Sequence, residues 1–482
     1  AGVAGRPSRS PRAPSMTGVA EFRGPYGNGP PPDALVVDPP PLAGFGGREI
    51  RRMVVIYVVL VVSVVRAVVR RLRTPRSAAW PAVVSTGLVD GFEILGPTFV
   101  KLGQLVASSP GVFPAPLADA CLRCLDEVPP FDPATARRLV EENLGRPPEA
   151  VFRTFDDRPL SAASIGQVHA CTLPDGRAAV IKLQRPDIAH RMNTDLRILY
   201  RLARTLERRT RIGRTANAVA VIEDLHAVTN QELNAALEAH RQTQFRDGLA
   251  RFGDNRWVTA PEVHWDYCGP HLICMERMSG VPMDEFDILR ARGIDGELAL
   301  RRAVKGWMEA LMIHGPFHGD IHAGNLWFLD DGRVSFLDFG IMGELTEQWK
   351  QLLRDLFATT MIDNDFARLA RAFKRVGAFP EDVGSDEEVG VRIGMLFGPM
   401  LDLGLSGVSL GEVLKAILAM MEQFAGATPR ELVLITKQLL YFERYARTLA
   451  PDWVLARDLF LVKNILAEAP AHAARVGVTF PD

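Results

Sequence analysis

The feature that most constrains this chain lies between residues 318 and 340. There His318-Gly319-Asp320-Ile321-His322-Ala323-Gly324-Asn325 precedes two short apolar runs, and Asp338-Phe339-Gly340 follows them. The runs Leu326–Leu329 and Val334–Leu337 enclose Asp330-Asp331-Gly332-Arg333. A turn built on Asp-Gly between apolar runs predicts a hairpin. An Asp, an Asn five positions later, a hairpin and an Asp-Phe-Gly thus occur in one fixed order. Each of these residues alone would be an ordinary loop former. Together they make the layout that phosphoryl transfer needs. A magnesium ion bridging nucleotide phosphates requires hard oxygen ligands, and the Asp338 carboxylate and Asn325 amide oxygen are of that kind. Asp320, beside the terminal phosphate, suits a group that accepts a proton from an attacking hydroxyl or orients it.

A second hairpin lies upstream. Val168–Thr172 and Ala179–Leu183 flank Leu173-Pro174-Asp175-Gly176-Arg177. Lys182 sits in the second of these strands, where a lysine would face phosphates and pair with a helix carboxylate. It precedes Asp320 and Asp338 in the order that a kinase-like chain demands. Ser161-Ala162-Ala163-Ser164-Ile165-Gly166-Gln167 occupies the place of a phosphate-covering glycine loop but holds one glycine. Alanines disfavour positive φ, so this loop is expected to be stiff. Apolar periodicity predicts helices over 190–210, 220–250, 298–314, 347–375 and 410–448.

The chain has 482 residues with 56 Lys+Arg against 57 Asp+Glu. A net charge of −1 argues against a dedicated nucleic-acid binder, which needs an excess of basic residues to meet phosphates. Five scattered cysteines point to a reducing compartment rather than a disulfide framework. The pair Cys121-Leu122-Arg123-Cys124 lacks the further ligands of a zinc site and reads as small core residues. Residues 1–50 hold 9 Gly and 10 Pro, which predicts a disordered tail. Residues 51–75 form an apolar and basic helix whose uninterrupted run, Met53–Val65, is short for a bilayer. It is expected either to lie at an anionic membrane surface or to pack against the body of the protein.

In these motifs the chain resembles the UbiB/AarF group of atypical protein-kinase-like proteins, over about three quarters of its length. The resemblance implies an α+β, bilobal protein-kinase-like fold. Its parts would be a helical extension (90–150), a small β-containing N-lobe (155–275) and a helical C-lobe (276–482), with the extension covering the active site. Lys101-Leu102-Gly103-Gln104 resembles the family's Lys-x-Gly-Gln signature. Glu232-Leu233-Asn234 falls on its Glu-x-Asp motif, with Asn234 replacing the second acid. These residues (Lys101, Gly103, Gln104, Glu232 and Asn234) would be regulatory. Ala162, Ala163 and Ser164 match the family's alanine-rich loop, and Lys182 matches its phosphate lysine. Glu238 falls on the paired helix glutamate, and Glu276 ends the strand and hinge that receive adenine. Asp320 falls on the catalytic position, Asn325 and Asp338 on the metal positions.

The resemblance implies ATP or ADP with Mg2+ as cofactors and turnover as an ATPase or phosphotransferase. The acceptor would be water or a small or lipid-like molecule, and the setting isoprenoid-quinone or lipid metabolism. A cytoplasmic chain attached peripherally to a membrane fits that role. Protein kinases usually carry Lys two residues after the catalytic Asp, where this chain has His322, so a peptide acceptor is disfavoured. Two other readings stand beside this one. The His-Gly-Asp-x-His-x-Gly-Asn run is equally familiar in aminoglycoside and choline kinases, which lack the Lys101 region. A nucleotide-sensing membrane scaffold with little turnover is the second.

Overall fold

The computed structural model describes residues 22–73, 79–107, 113–124, 129–210, 213–214, 217–380, 382–402 and 430–481. Residues 22–46, with a short 3-10 helix at Pro32–Leu35, lie along the body rather than forming the disordered tail expected across 1–50. Phe22 stacks on Tyr267, Tyr26 is buried, and Gly24 N donates to Asp266 O at 2.8 Å. A Pro/Gly-rich segment has no core of its own, but here it gains one by lying on another surface. The expectation for 1–21 lies outside the described residues.

Helix α1 (Gly47–Arg73) continues through Arg66 for 27 residues, about 40 Å at the usual rise. It is thus longer than its uninterrupted apolar run suggested. Among the described residues it is the one helix long and apolar enough to cross a membrane. It packs against α2 (Trp80–Leu95) by a narrow stripe that includes Ile56, Ser63 and Ala67. Gly87 and Gly91 make that approach possible. A Cβ at 87 would stand 2.7 Å from Val64 Cα, and one at 91 would stand 2.8 Å from Leu60 Cδ2. Both ends of α1 are tied down: Arg52 reaches Asp195 at 2.7 Å, and Arg70 reaches Asp90 at 3.5 Å. Its other face keeps Val54, Tyr57, Val58, Val61, Val65 and Leu72 exposed.

Gly96, at φ +98, turns the chain into α3 (Pro97–Ala107), and α4 (Ala115–Cys121) packs beside it. Next come α5 (Pro133–Leu144), capped by Asp132, and the short α6 (Pro148–Val151). The antiparallel sheet follows: β1 (Thr154–Ala162), β2 (Gly166–Thr172) and β3 (Ala178–Gln184). The hairpin was legible, but the apolar pattern of the β1 sequence shows no clear alternation and that strand was not anticipated. In β3 the period of two sends Ala179, Ile181 and Leu183 into the core and turns Lys182 to the opposite face.

Helices α7 (Ile188–Arg209), α8 (Ala218–Glu232) and α9 (Ala235–Arg251) come next. The helix expected over 220–250 is broken at Leu233-Asn234, where the Asn234 side chain accepts from Leu237 N at 2.9 Å and caps α9. Strand β5 (Leu272–Glu276) pairs with β3, completing the order β1-β2-β3-β5. A second sheet, in the order β4-β9-β8-β6, joins β4 (Val258–Thr259), β6 (Gly280–Pro282), β8 (Leu326–Leu329) and β9 (Val334–Phe336). The turn at Gly332 has φ +87, as the Asp-Gly hairpin requires.

On this sheet packs α11 (Gly296–Glu309), and α10 (Phe286–Ala291), α12 (Glu347–Ala358) and α13 (Phe366–Arg375) share its hydrophobic core. The remaining helices are α14 (Asp386–Asp402), α15 (Arg430–Leu449), α16 (Leu459–Val462) and α17 (Ala469–Arg475). A two-stranded pair, β7 (Phe317–His318) with β10 (Met342–Gly343), brackets the loops that carry Asp320 and Asp338. Of the helix expected over 410–448, residues 410–429 lie outside the described residues. The whole is the α+β, two-lobed arrangement, and β3 meets the loop after β9 where Lys182 contacts Asp338.

Candidate active site

Lys182 Nζ lies 2.6 Å from Glu238 Oε1 and 3.3 Å from Asp338 Oδ2. Three elements meet in that one contact: β3, α9 and the Asp-Phe-Gly loop. Burial pushes the Glu238 carboxyl up to about 6 despite the opposing pull of Lys182. Burial also acts to raise Asp338, but the Lys182 ammonium and the Gly340 N–H outweigh it and bring Asp338 down to about 2. Asp338 is therefore a carboxylate at neutral pH. It also adopts φ +58, a left-handed conformation of the strained kind that a non-glycine residue keeps at functional sites.

The Asp320 loop is held by its neighbours. His318 is fully buried, with Nε2 donating to Leu337 O at 3.0 Å and Nδ1 accepting from Asp320 N at 3.2 Å. That pattern belongs to the neutral ring, and burial lowers its pKa accordingly. His318 thus joins the Asp320 loop to the strand that delivers Asp338. Asn325 Nδ2 donates to Asp320 O at 3.0 Å. The bond uses the amide nitrogen, so the amide oxygen stays available as a ligand. Magnesium keeps waters and substrate phosphates in its shell and needs only one or two protein oxygens. Asp338 and Asn325 fit that requirement as a hard-oxygen pair on adjoining loops. No cluster of three or more His, Cys, Asp or Glu suited to a metal occurs among the described residues.

The extension reaches the same group of residues. Lys101, on α3, forms an ion pair with Glu232, at the end of α8. Glu232 lies against the Asp-Phe-Gly loop: a Cβ on Gly340 would stand 3.7 Å from Glu232 Cγ. Burial raises the Glu232 pKa against the pull of Lys101, and the Asp338 and Asp320 carboxylates add to the rise. Gln104 follows Lys101 by three positions and shares its helix face. Gly103 serves packing, because a Cβ there would collide with Cys124 Sγ. Cys121 and Cys124 are both buried in this helical cluster.

Five expected residues have local duties. Asn234 caps α9 and donates from Nδ2 to Ala34 O at 2.8 Å, away from Lys101's ion pair. The Glu276 carboxylate accepts from Arg246 Nη1 at 3.0 Å and from Glu262 N at 3.1 Å, so its side chain anchors the end of β5. In the alanine-rich loop, Ala163 N donates to Gly166 O at 2.8 Å, following Ala162 at the end of β1. Ser164 is buried, and Arg185 N donates to Ile165 O at 2.8 Å. The loop's one glycine is demanded by β3, since a Cβ at Gly166 would stand 2.5 Å from Leu183 O.

Helix α15 contributes residues that sequence reasoning missed. Lys437 Nζ lies 2.8 Å from Asp320 Oδ1. Gln438, fully buried, accepts from Ile321 N at 2.6 Å and donates to Gly319 O at 2.7 Å. Tyr445 OH donates to Ile321 O at 3.1 Å. The available signal was a Lys-Gln pair inside an otherwise apolar helical stretch, where a buried glutamine needs partners. Asp320 is itself lowered: burial acts to raise it, and Lys437 and His322 more than offset that.

Fold and site together define an atypical kinase-like protein. Residues 123–373 match the ABC1 atypical kinase-like domain, and residues 393–454 match the UbiB helical domain. The chain belongs to this ABC1/UbiB family of atypical kinase-like proteins. It is 36% identical over 400 residues to the uncharacterized protein Rv0647c of Mycobacterium tuberculosis, covering 82% of this chain and 81% of the relative. It is 30% identical over 416 residues to an uncharacterized aarF domain-containing protein kinase, At5g05200, chloroplastic, of Arabidopsis thaliana, covering 80% and 76% of the two chains. A probable protein kinase UbiB of Erwinia tasmaniensis is 33% identical over 366 residues, 75% of this chain and 66% of the relative. Helix α15 falls inside the helical-domain match, so that domain supplies Lys437 and Gln438.

Proposed function

We propose that this chain is a magnesium–ATP enzyme that transfers the terminal phosphoryl group to water or to a small or lipid-like acceptor. We propose that it acts at an anionic membrane surface, in isoprenoid-quinone or lipid metabolism. The observation that carries the reading is the convergence of Lys182, Glu238 and Asp338 within 2.6 and 3.3 Å, beside the loop of Asp320 and Asn325. Asn325 and Asp338 would hold the magnesium ion, which when bound neutralises phosphate charge. Lys182, kept in place by Glu238, meets the inner phosphates. Asp320 orients the attacking hydroxyl and takes its proton. The hydroxyl oxygen bonds to the terminal phosphorus as the bond to the bridging oxygen breaks, and the electron pair leaves with ADP. The exposed apolar face of α1 and its arginines Arg66, Arg70, Arg71 and Arg73 support attachment to anionic lipid.

ATP hydrolysis by the wild type and by Asp320→Asn, with and without anionic liposomes, tests the reading. Turnover by the wild type, lost in Asp320→Asn while magnesium–ADP still raises the melting temperature, supports it. No thermal shift at millimolar nucleotide counts against it. Flotation that is equal with and without residues 1–75 removes the membrane part.

A further inference from the structure

The Asp320 loop presents a cation that does not come from the loop itself. His322, two residues after Asp320, keeps its Nε2 4.0 Å from Asp320 Oδ2 and uses Nδ1 to accept from Gly324 N at 3.1 Å. The ammonium in contact with Asp320 is that of Lys437, at 2.8 Å from Oδ1, reached from 117 residues later in the chain. Its helix is not free to slide. The next residue, Gln438, grips the backbone on both sides of Asp320, through Gly319 O and Ile321 N. Tyr445 adds a third bond to Ile321 O. The Lys437 side chain keeps 38% of its surface exposed and Asp320 keeps 24%, so the ion pair is not sealed from solvent.

We infer that Lys437 is a catalytic residue, whose ammonium meets the terminal phosphate of the nucleotide held over Asp320. The inference rests on the magnesium–ATP reading above. An ammonium carries three donors on a flexible stem. It can keep one donor on Asp320 and give another to a non-bridging phosphate oxygen, where charge resides as the phosphoryl group passes to the acceptor. Lys182, paired with Glu238 and Asp338, serves the inner phosphates, so the ammonium beside Asp320 is that of Lys437. The helical domain therefore completes the site with a charge, and does more than brace it.

The test uses the full chain with four proteins: wild type, Lys437→Met, Lys437→Arg and the double variant Lys437→Met/His322→Lys. ATP turnover is measured together with binding of ADP and of a non-hydrolysable ATP analogue. For Lys437→Met, kcat is expected to fall by about 10²–10³-fold, the usual loss when one preorganised donor to developing charge is removed. Analogue binding should weaken several-fold while ADP binding stays unchanged. Lys437→Arg should keep part of the activity. The double variant, which returns an ammonium beside Asp320 from its own loop, should recover at least ~10-fold over Lys437→Met, a small part of the loss. Lys437→Arg also covers the case in which Met at 437 disturbs α15. A wild type that turns over with Lys437→Met within about threefold of it overturns this inference alone. So does equal weakening of ADP and analogue, or absence of rescue by both other variants. A wild type that binds neither nucleotide overturns the magnesium–ATP reading, and this inference with it.

Discussion

Gln438→Leu isolates what the helical domain does for the Asp320 loop. Leucine is close to glutamine in size, so the substitution leaves little cavity and acts mainly by removing polar partners. Two backbone groups lose theirs, Ile321 N and Gly319 O, at 2.6 and 2.7 Å in the native protein. The site is closed to water, since Gln438 is 0% exposed. Each buried group left unsatisfied costs about 1–3 kcal/mol, so a loss on the order of 3 kcal/mol is expected for the pair. The shift is read as a lower urea midpoint at unchanged slope. Tyr445→Phe removes one hydroxyl donor to Ile321 O, at 3.1 Å, and should cost about 1 kcal/mol. Nucleotide turnover should fall more in Gln438→Leu than in Tyr445→Phe, because only the first frees the backbone on both sides of Asp320. A midpoint change equivalent to less than ~0.5 kcal/mol for Gln438→Leu, the range of an ordinary surface change, would refute the reasoning. Reversal of the ranking would do the same.

Three further outcomes are expected. Glu238 titrates at about 6 in the folded chain, above its ordinary 4.5, so the folded state holds the extra proton between those values and stability falls as pH rises through that window. Lys182 needs the ionised form, so magnesium–ADP affinity should rise as pH passes about 6; Glu238→Gln should remove that step, and a step that persists assigns it elsewhere. Gly103→Ala should destabilise by about 1–3 kcal/mol through overpacking against Cys124, and adding Cys124→Ala should recover most of it; strictly additive losses in this thermodynamic cycle would discard the steric account. Arg52→Ala strands the Asp195 carboxylate, 1% exposed and held at 2.7 and 2.9 Å, at a cost of about 3–5 kcal/mol by thermal unfolding, and a loss below about 1 kcal/mol would mean that α1 is not anchored there.

Much of the fold was legible because its signals are local. The hairpins around Asp175-Gly176 and Asp331-Gly332 need only alternation and a turn residue that tolerates positive φ, and both appear where the pattern put them. Strand β1 was not legible, because its Pro159 and paired aspartates hide the alternation of a half-exposed edge strand. The break at Leu233-Asn234 was hidden inside a continuous apolar period, although asparagine at a cap is its local cause. The tail was misread over 22–46 for a different reason. Composition reports whether a segment has a core of its own, and this one packs on a surface built from residues far along the chain.

The candidate site divides in the same way. The sequence by itself determined the order Lys182, Asp320, Asn325 and Asp338, with Glu238 added by the family resemblance, and with it the chemistry these side chains are suited to. Residue type and spacing along one or two adjacent elements are sufficient for that. Only the tertiary structure decided which charge meets which. Lys101 pairs with Glu232, Arg52 with Asp195, and Lys437 with Asp320. Any ammonium or guanidinium can satisfy any carboxylate, so a list of charged residues leaves their pairing open. Burial and helix packing choose among the possibilities, because a charge taken out of water must find its partner within a few ångströms.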